Sequence, residues 1–158
     1  MPDAAKALML FAAGVGARMG PLVADRPKPM IKVAGRPLID HALRQVRQAG
    51  IGRVVVNSHY LAHAISDHLS GSGVEISHEH ARLLDTGGGL KFALPLLGRA
   101  PVFTLNCDAV WAGDNPLLTL QAAWDASRMD ALLLLVEREN ATGHTGPGDF
   151  HRTDDGHL

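Results

Sequence analysis

The chain has 158 residues, 46% hydrophobic and 20% charged, which suits one globular domain with a real core. Its formal net charge is −1 and no Lys/Arg block stands out, which excludes an electrostatic nucleic-acid binder. A single cysteine, Cys107, excludes an intrachain disulfide and argues against a zinc cluster.

The apolar stretch 7–13 is far too short to span a bilayer. It has no basic lead-in or cleavage site, so it does not read as a signal peptide. A cytoplasmic protein with no membrane partner is expected. Residues 5–12 form a continuous apolar run closed by a glycine loop, as in a strand buried on both faces of a parallel sheet. Residues 37–49 place Leu38, Ala42, Val46 and Ala49 at helical spacing, with Pro37 in the first turn and Gly50 as the stop. Val54, Val55 and Val56 mark a second strand over 53–57, and residues 60–69 a second helix. A third strand is expected at 74–77, a helix at 89–97 and a fourth strand at 102–106. A helix follows at 116–128, capped by Asn115, and then another buried strand at 131–136. Alternating strands and helices imply an α/β fold, a doubly wound and mostly parallel sheet. Residues 1–158 read as one domain. Its tail, 140–158, is rich in Gly, Pro, Asp and His and loop-like, and a domain cut short before a further strand is expected.

Ligands of such sheets bind at the carboxyl ends of the strands, so the loops after Ala12, Asn57, Ser77 and Asn106 matter most. Gly14 and Gly16 follow the first strand directly, where glycines let backbone N–H groups approach an anion. Arg18 can clamp phosphate oxygens bidentately, and Lys28 offers a compact point charge. Pro27 and Pro29 hold Lys28 in a stiff segment. Two familiar glycine motifs do not fit. A dinucleotide-binding fingerprint needs Gly or Ala where Met19 stands, which disfavours a dehydrogenase, and a Walker loop needs Gly-Lys-Ser/Thr.

The combined pattern is more specific. Ala12-Ala13-Gly14-x-Gly16-x-Arg18-Met19-x-Pro21-Leu22, then Arg26-Pro27-Lys28-Pro29-Met30, then Val33-Ala34-Gly35-Arg36-Pro37-Leu38-Ile39, resembles the start of the sugar-1-phosphate nucleotidyltransferase family. The resemblance covers nearly the whole chain. It implies a Rossmann-like fold and a glycine loop wrapped round a triphosphate, with Ala12, Ala13, Gly14 and Gly16 binding nucleotide. It further implies that Arg18 stabilises the pyrophosphate leaving group and that Lys28 contacts the α-phosphate region. The chain departs from the family at Gly20, often basic, and at Phe11, usually leucine.

A second glycine cluster, Leu84-Asp85-Thr86-Gly87-Gly88-Gly89, precedes a helix. Glycines there cost helical order, which makes sense where a flat ligand needs backbone contact. The resemblance implies that Asp85, Thr86, Gly87 and Gly88 lie over base and ribose. Plain helix capping by Asp85 or Thr86 is the alternative. Leu83 to Gly89, followed by Ala93-Leu94-Pro95-Leu96-Leu97-Gly98, is most similar to N-acetylmuramate-1-phosphate uridylyltransferases, which serve cell-wall (peptidoglycan) recycling. Mannose-1-phosphate guanylyltransferases share much of the pattern.

Asn106-Cys107-Asp108 directly follows Val102-Phe103-Thr104-Leu105, and a carboxylate at a strand's carboxyl end facing a triphosphate suits Mg²⁺. The family's Asn-x-Asp motif, here Asn106-Cys107-Asp108, implies the same cofactor. A second metal-binding acid is not found, because Asp149, Asp154 and Asp155 lie in the tail. Cys107 has no activating partner and reads as a buried filler. His59/His63 and His78/His80 have ligand-like spacings, but no HExxH motif or cysteine supports a metal site. Asn57, Asn106 and Trp111 are candidate substrate contacts, and Trp124 reads as core.

The resemblance implies transfer of a nucleotidyl group from an NTP, UTP first, to a sugar 1-phosphate, N-acetylmuramate 1-phosphate first. Guanylyl transfer to mannose 1-phosphate and thymidylyl transfer to glucose 1-phosphate are alternatives. A nucleotide-sugar-binding regulatory module without turnover is the alternative of another class.

Overall fold

A computed structural model describes residues 5–158. Four parallel strands form the sheet: β1 (Ala7–Phe11), β4 (Arg53–Ser58), β5 (Glu75–His78) and β6 (Val102–Asn106), in the order β5-β4-β1-β6. Two short strands, β2 (Lys32–Val33) and β3 (Arg36–Pro37), pair antiparallel beside it. The helices are α1 (Leu38–Gln48), α2 (Ala62–His68), α3 (Asp85–Leu97) and α4 (Pro116–Ala123).

The continuous apolar runs are explained by burial on both faces. Leu8 and Leu10 pack with Val54, Val56, Phe103 and Leu105 against α1 and Ile65 of α2. Met9 and Val55 face the other way and pack against Ala93 and Leu97 of α3. Side chains alternate across a strand, so covering both faces demands apolar residues at every position. The register aligns Phe11 with Asn106 and Ser58 with His78, which brings the carboxyl ends of all four strands to one edge.

Asn115 caps α4 as expected: its Oδ1 accepts from the Leu117 N–H at 2.9 Å. Its Nδ2 also donates to the Gln45 carbonyl on α1, at 2.9 Å. Asn115→Ala removes both and is expected to cost about 1–2 kcal/mol, read from urea denaturation midpoints.

Several boundaries differ from the sequence reading. Leu61 has φ 48°, in the left-handed region, so α2 begins only at Ala62. α4 ends at Ala123, where Trp124 turns extended (ψ 129°), and Trp124 is half-buried and not core. α3 begins at Asp85, four residues before the expected start, and takes all three glycines into its first turns. The expected strand at 131–136 does not form: Leu133, Leu134, Leu135 and Val136 are exposed and join no ladder. An apolar run marks a buried strand only where a neighbouring edge pairs with it, and among the described residues none does. The tail after Asn140 holds turns without helix or strand. Among the described residues no helix is long and apolar enough to cross a membrane.

Candidate active site

Two concavities flank the sheet. One, of about 800 Å³, lies at the amino ends of β1 and β6 and is lined by apolar groups including Val102, Phe103, Leu120, Trp124 and Leu133. The other, of about 570 Å³, lies at the carboxyl ends. The second gathers the charged side chains of Arg18, Lys28, Asp85 and Asp108 at the carboxyl ends of the strands, where ligands of such sheets bind, whereas the first is mainly apolar, with polar groups such as Gln121, Asp125 and Asp130 in its lining.

Ala12, Ala13, Gly14, Gly16 and Arg18 line the cleft from the loop after β1. Lys28 enters from the next segment, and Asn106, Cys107 and Asp108 from the end of β6. Asp85 and Thr86 close it from the start of α3. Residues far apart in sequence are therefore brought to one sheet edge. Gly87, Gly88 and Trp111 do not line the cleft, and Trp111 is half-buried.

Gly16 has φ 69°, and a Cβ on it would stand 3.1 Å from Lys28 Cβ. Glycine at 16 therefore serves the close approach of the glycine loop to the lysine segment as well as the turn. Pro27 and Pro29 are fully buried, which anchors the Lys28 backbone. Lys28 Nζ pairs with Asp108 Oδ2 at 2.5 Å. The cation and the carboxylate expected to serve a triphosphate and its metal thus neutralise each other.

The backbone of Ala12 and Ala13 is engaged within the protein. Asn57 Oδ1 accepts from their N–H groups at 2.7 and 3.3 Å. Asn57 Nδ2 donates to Glu79 Oε1 at 2.8 Å. Asn57 is buried, lines the cleft and is engaged at both ends of its amide within the protein, so it holds the loop after β1 from inside the site. Glu79 is 2% exposed, and its Oε2 accepts from the Leu84 N–H at 2.8 Å. The sequence reading missed Glu79. The signal existed: it directly follows β5, as Asp108 nearly follows β6.

Gly89 is explained by the same network, since a Cβ there would stand 2.8 Å from Glu79 Oε1 and 2.9 Å from Asn57 Nδ2. The expectation that this glycine leaves room for a ligand is corrected: it leaves room for Glu79 and Asn57.

Cys107 is buried, and burial, helped by the charge on Asp108, pushes its thiol up to about 12. Only the thiolate is nucleophilic, so Cys107 is inert near neutral pH. Between the ordinary thiol value and about 12 the folded chain keeps a proton that the unfolded chain loses. This contribution to stability therefore falls as pH rises through that window. A thiol reagent at pH 7.5 is expected to label Cys107 only after denaturation. His78 and His80 stack with ring centroids 3.8 Å apart, and burial, with its two neighbours His80 and His59, lowers the pKa of His78. Among the described residues no group of three or more His, Cys, Asp or Glu side chains could hold a metal.

The family model for the MobA-like NTP transferase domain matches residues 8–145. The chain belongs to this family. It is 41% identical to the N-acetylmuramate α-1-phosphate uridylyltransferase of Caulobacter vibrioides over 99% of its own length and 68% of that protein's. It is 40% identical to the protein of the same name from Neisseria meningitidis, over 90% of its length and 62% of that protein's. The chain thus spans roughly two thirds of these curated relatives. A nucleotidyl transferase from Methanothermobacter thermautotroptrophicus superposes with a TM-score of 0.61 over 75% of this chain and 57% of that one. At 20% identity that likeness shows the nucleotidyltransferase fold, with its mostly parallel sheet.

Proposed function

We propose that this NTP transferase domain moves a uridylyl group from UTP to N-acetylmuramate 1-phosphate, releasing pyrophosphate, as a cytoplasmic step of cell-wall recycling. The observation that carries the reading is the convergence of the glycine loop, Arg18, Lys28 and Asp108 on one cleft at the strands' carboxyl ends. The names of the two relatives supply the base and the sugar.

The sugar phosphate already carries an anionic oxygen, so no protein nucleophile is needed. That oxygen attacks the α-phosphorus in line, the bond to the bridging oxygen breaks, and pyrophosphate leaves with the electron pair. The protein's share is positioning and charge stabilisation. Arg18 would hold the departing phosphates, and Lys28 the α-phosphate region. The carboxylate of Asp108 fits Mg²⁺. It is 39% exposed at the cleft, and Lys28 engages only Oδ2, which leaves Oδ1 to a cation. One carboxylate suffices where phosphates and water complete the octahedron. Bound there, Mg²⁺ would neutralise triphosphate charge as a Lewis acid. Lys28 would then exchange its carboxylate partner for a phosphate oxygen.

The test is pyrophosphate release with four NTPs against the 1-phosphates of N-acetylmuramate, mannose, glucose and N-acetylglucosamine. Preference for UTP with the muramic sugar is expected. GTP with mannose 1-phosphate as the best pair would move the assignment to guanylyl transfer. NTP binding without release from any pair would favour a regulatory module.

A further inference from the structure

The cleft has two walls from distant parts of the chain: the loop after β1 and the start of α3. One buried carboxylate reaches both. Glu79 Oε1 accepts from Asn57 Nδ2, whose Oδ1 in turn accepts from Ala12 and Ala13. Glu79 Oε2 accepts from the Leu84 N–H, one residue before α3 begins. The Glu79 N–H donates to the Ser58 carbonyl at 2.9 Å, extending the β4–β5 ladder and fixing the residue to the sheet.

The chemistry of this network has one consistent direction. Backbone N–H groups of Ala12, Ala13 and Leu84 only donate. Asn57 must therefore aim its oxygen at Ala12 and Ala13, which leaves its NH₂ to face Glu79. Both Glu79 oxygens then face donors, and only a carboxylate accepts on both. Gly89 leaves the space in which the pair meets. A glutamine at 79 would have almost the same shape but would present one donor to a donor.

We infer that Glu79 is a positioning residue of the nucleotide site, which sets the glycine loop and the start of α3 in register by orienting Asn57. This rests on the proposed nucleotidyl-transfer reading for what the two loops bind. The coupling itself is a property of the protein alone. The walls that Glu79 joins carry the groups facing the nucleotide, so its loss should act on nucleotide affinity and not on the sugar phosphate.

The experiment compares the unaltered chain with E79Q and with the double variant N57D/E79Q. In the double variant the new amide at position 79 accepts from the Leu84 N–H through its oxygen. Its nitrogen donates to the new carboxylate at position 57, which accepts from Ala12 and Ala13. Every donor again meets an acceptor, and net charge is unchanged. E79Q is expected to speed amide hydrogen exchange at Ala12, Ala13 and Leu84 about tenfold or more, and to weaken UTP binding by a similar factor. In turnover the KM for UTP should rise while that for the sugar phosphate stays within about twofold, a split that general loss of folding does not produce. The double variant should recover most of the amide protection. E79Q with unchanged protection and UTP affinity would overturn the inference. So would a double variant no better than E79Q, including one that fails to fold where E79Q also fails. If exchange follows the expected pattern but the unaltered chain binds no UTP, the coupling stands and the nucleotide reading falls.

Discussion

Lys28→Ala and Arg18→Ala are each expected to slow pyrophosphate release by on the order of a hundredfold or more, the usual loss when one charge-stabilising donor is removed. A hundredfold corresponds to about 2.7 kcal/mol of transition-state stabilisation. Stability should hardly move. The Lys28–Asp108 pair is 24% and 39% exposed, and screened pairs of this kind contribute about 0–1 kcal/mol to folding. The backbone around Lys28 is held by buried Pro27 and Pro29, which alanine at 28 leaves in place. Lys28→Ala should thus give a folded chain with little turnover. Arg18 is exposed at the cleft rim, so its loss should be equally silent in a melting curve. Initial rates of pyrophosphate release beside thermal melts check both statements. Near-normal release from both variants would remove these residues from the chemistry.

Gly89→Ala and Gly87→Ala are expected to act in opposite directions, although both lie in the first turns of α3. Propensity alone favours alanine over glycine by about 1 kcal/mol at either position. At Gly87 a Cβ meets nothing within 4 Å, so the helical gain should be realised in part. At Gly89 the same Cβ would stand 2.8 Å from Glu79 Oε1 and 2.9 Å from Asn57 Nδ2, far inside contact distance. Relief would require the buried carboxylate to leave its donor. Straining or losing a hydrogen bond to a buried charge costs about 1.5–3 kcal/mol, which exceeds the propensity gain of about 1 kcal/mol. Urea denaturation should show Gly89→Ala destabilised by about 1–2 kcal/mol net. A stabilised Gly89→Ala would mean that the Glu79–Asn57 network is not as tight as described.

The sheet is legible in the sequence because its strands are covered on both faces. Leu8, Met9 and Leu10 must all be apolar when α1 lies on one side and α3 on the other. The binding edge is legible for a related reason, since the loops that follow such strands carry Gly14, Gly16 and Asp108. The start of α3 is not. Three glycines argue against a helix by propensity, and the reason Gly89 must be glycine lies in a contact with Glu79 and Asn57 that no local pattern contains. Asn57 reads as a site residue and does line the cleft, but its hold on Ala12 and Ala13 is not legible, because those partners lie 45 and 44 positions away. Residues 131–136 have a strand's composition without a strand's partner, and pairing is the part of a strand that composition leaves open. The mutual neutralisation of Lys28 and Asp108 is equally invisible, since they are separated by 80 positions.

The central claim is that the cleft at the carboxyl ends of the strands, and not the larger apolar concavity, receives the nucleotide. Backbone amide NMR during titration with UTP and Mg²⁺ tests it directly. Shifts should concentrate at Gly14, Gly16, Arg18, Lys28, Thr86 and Asp108, with Leu120, Trp124 and Leu133 unmoved. Shifts centred on Leu120, Trp124 and Leu133, or none at saturating UTP, would contradict the account.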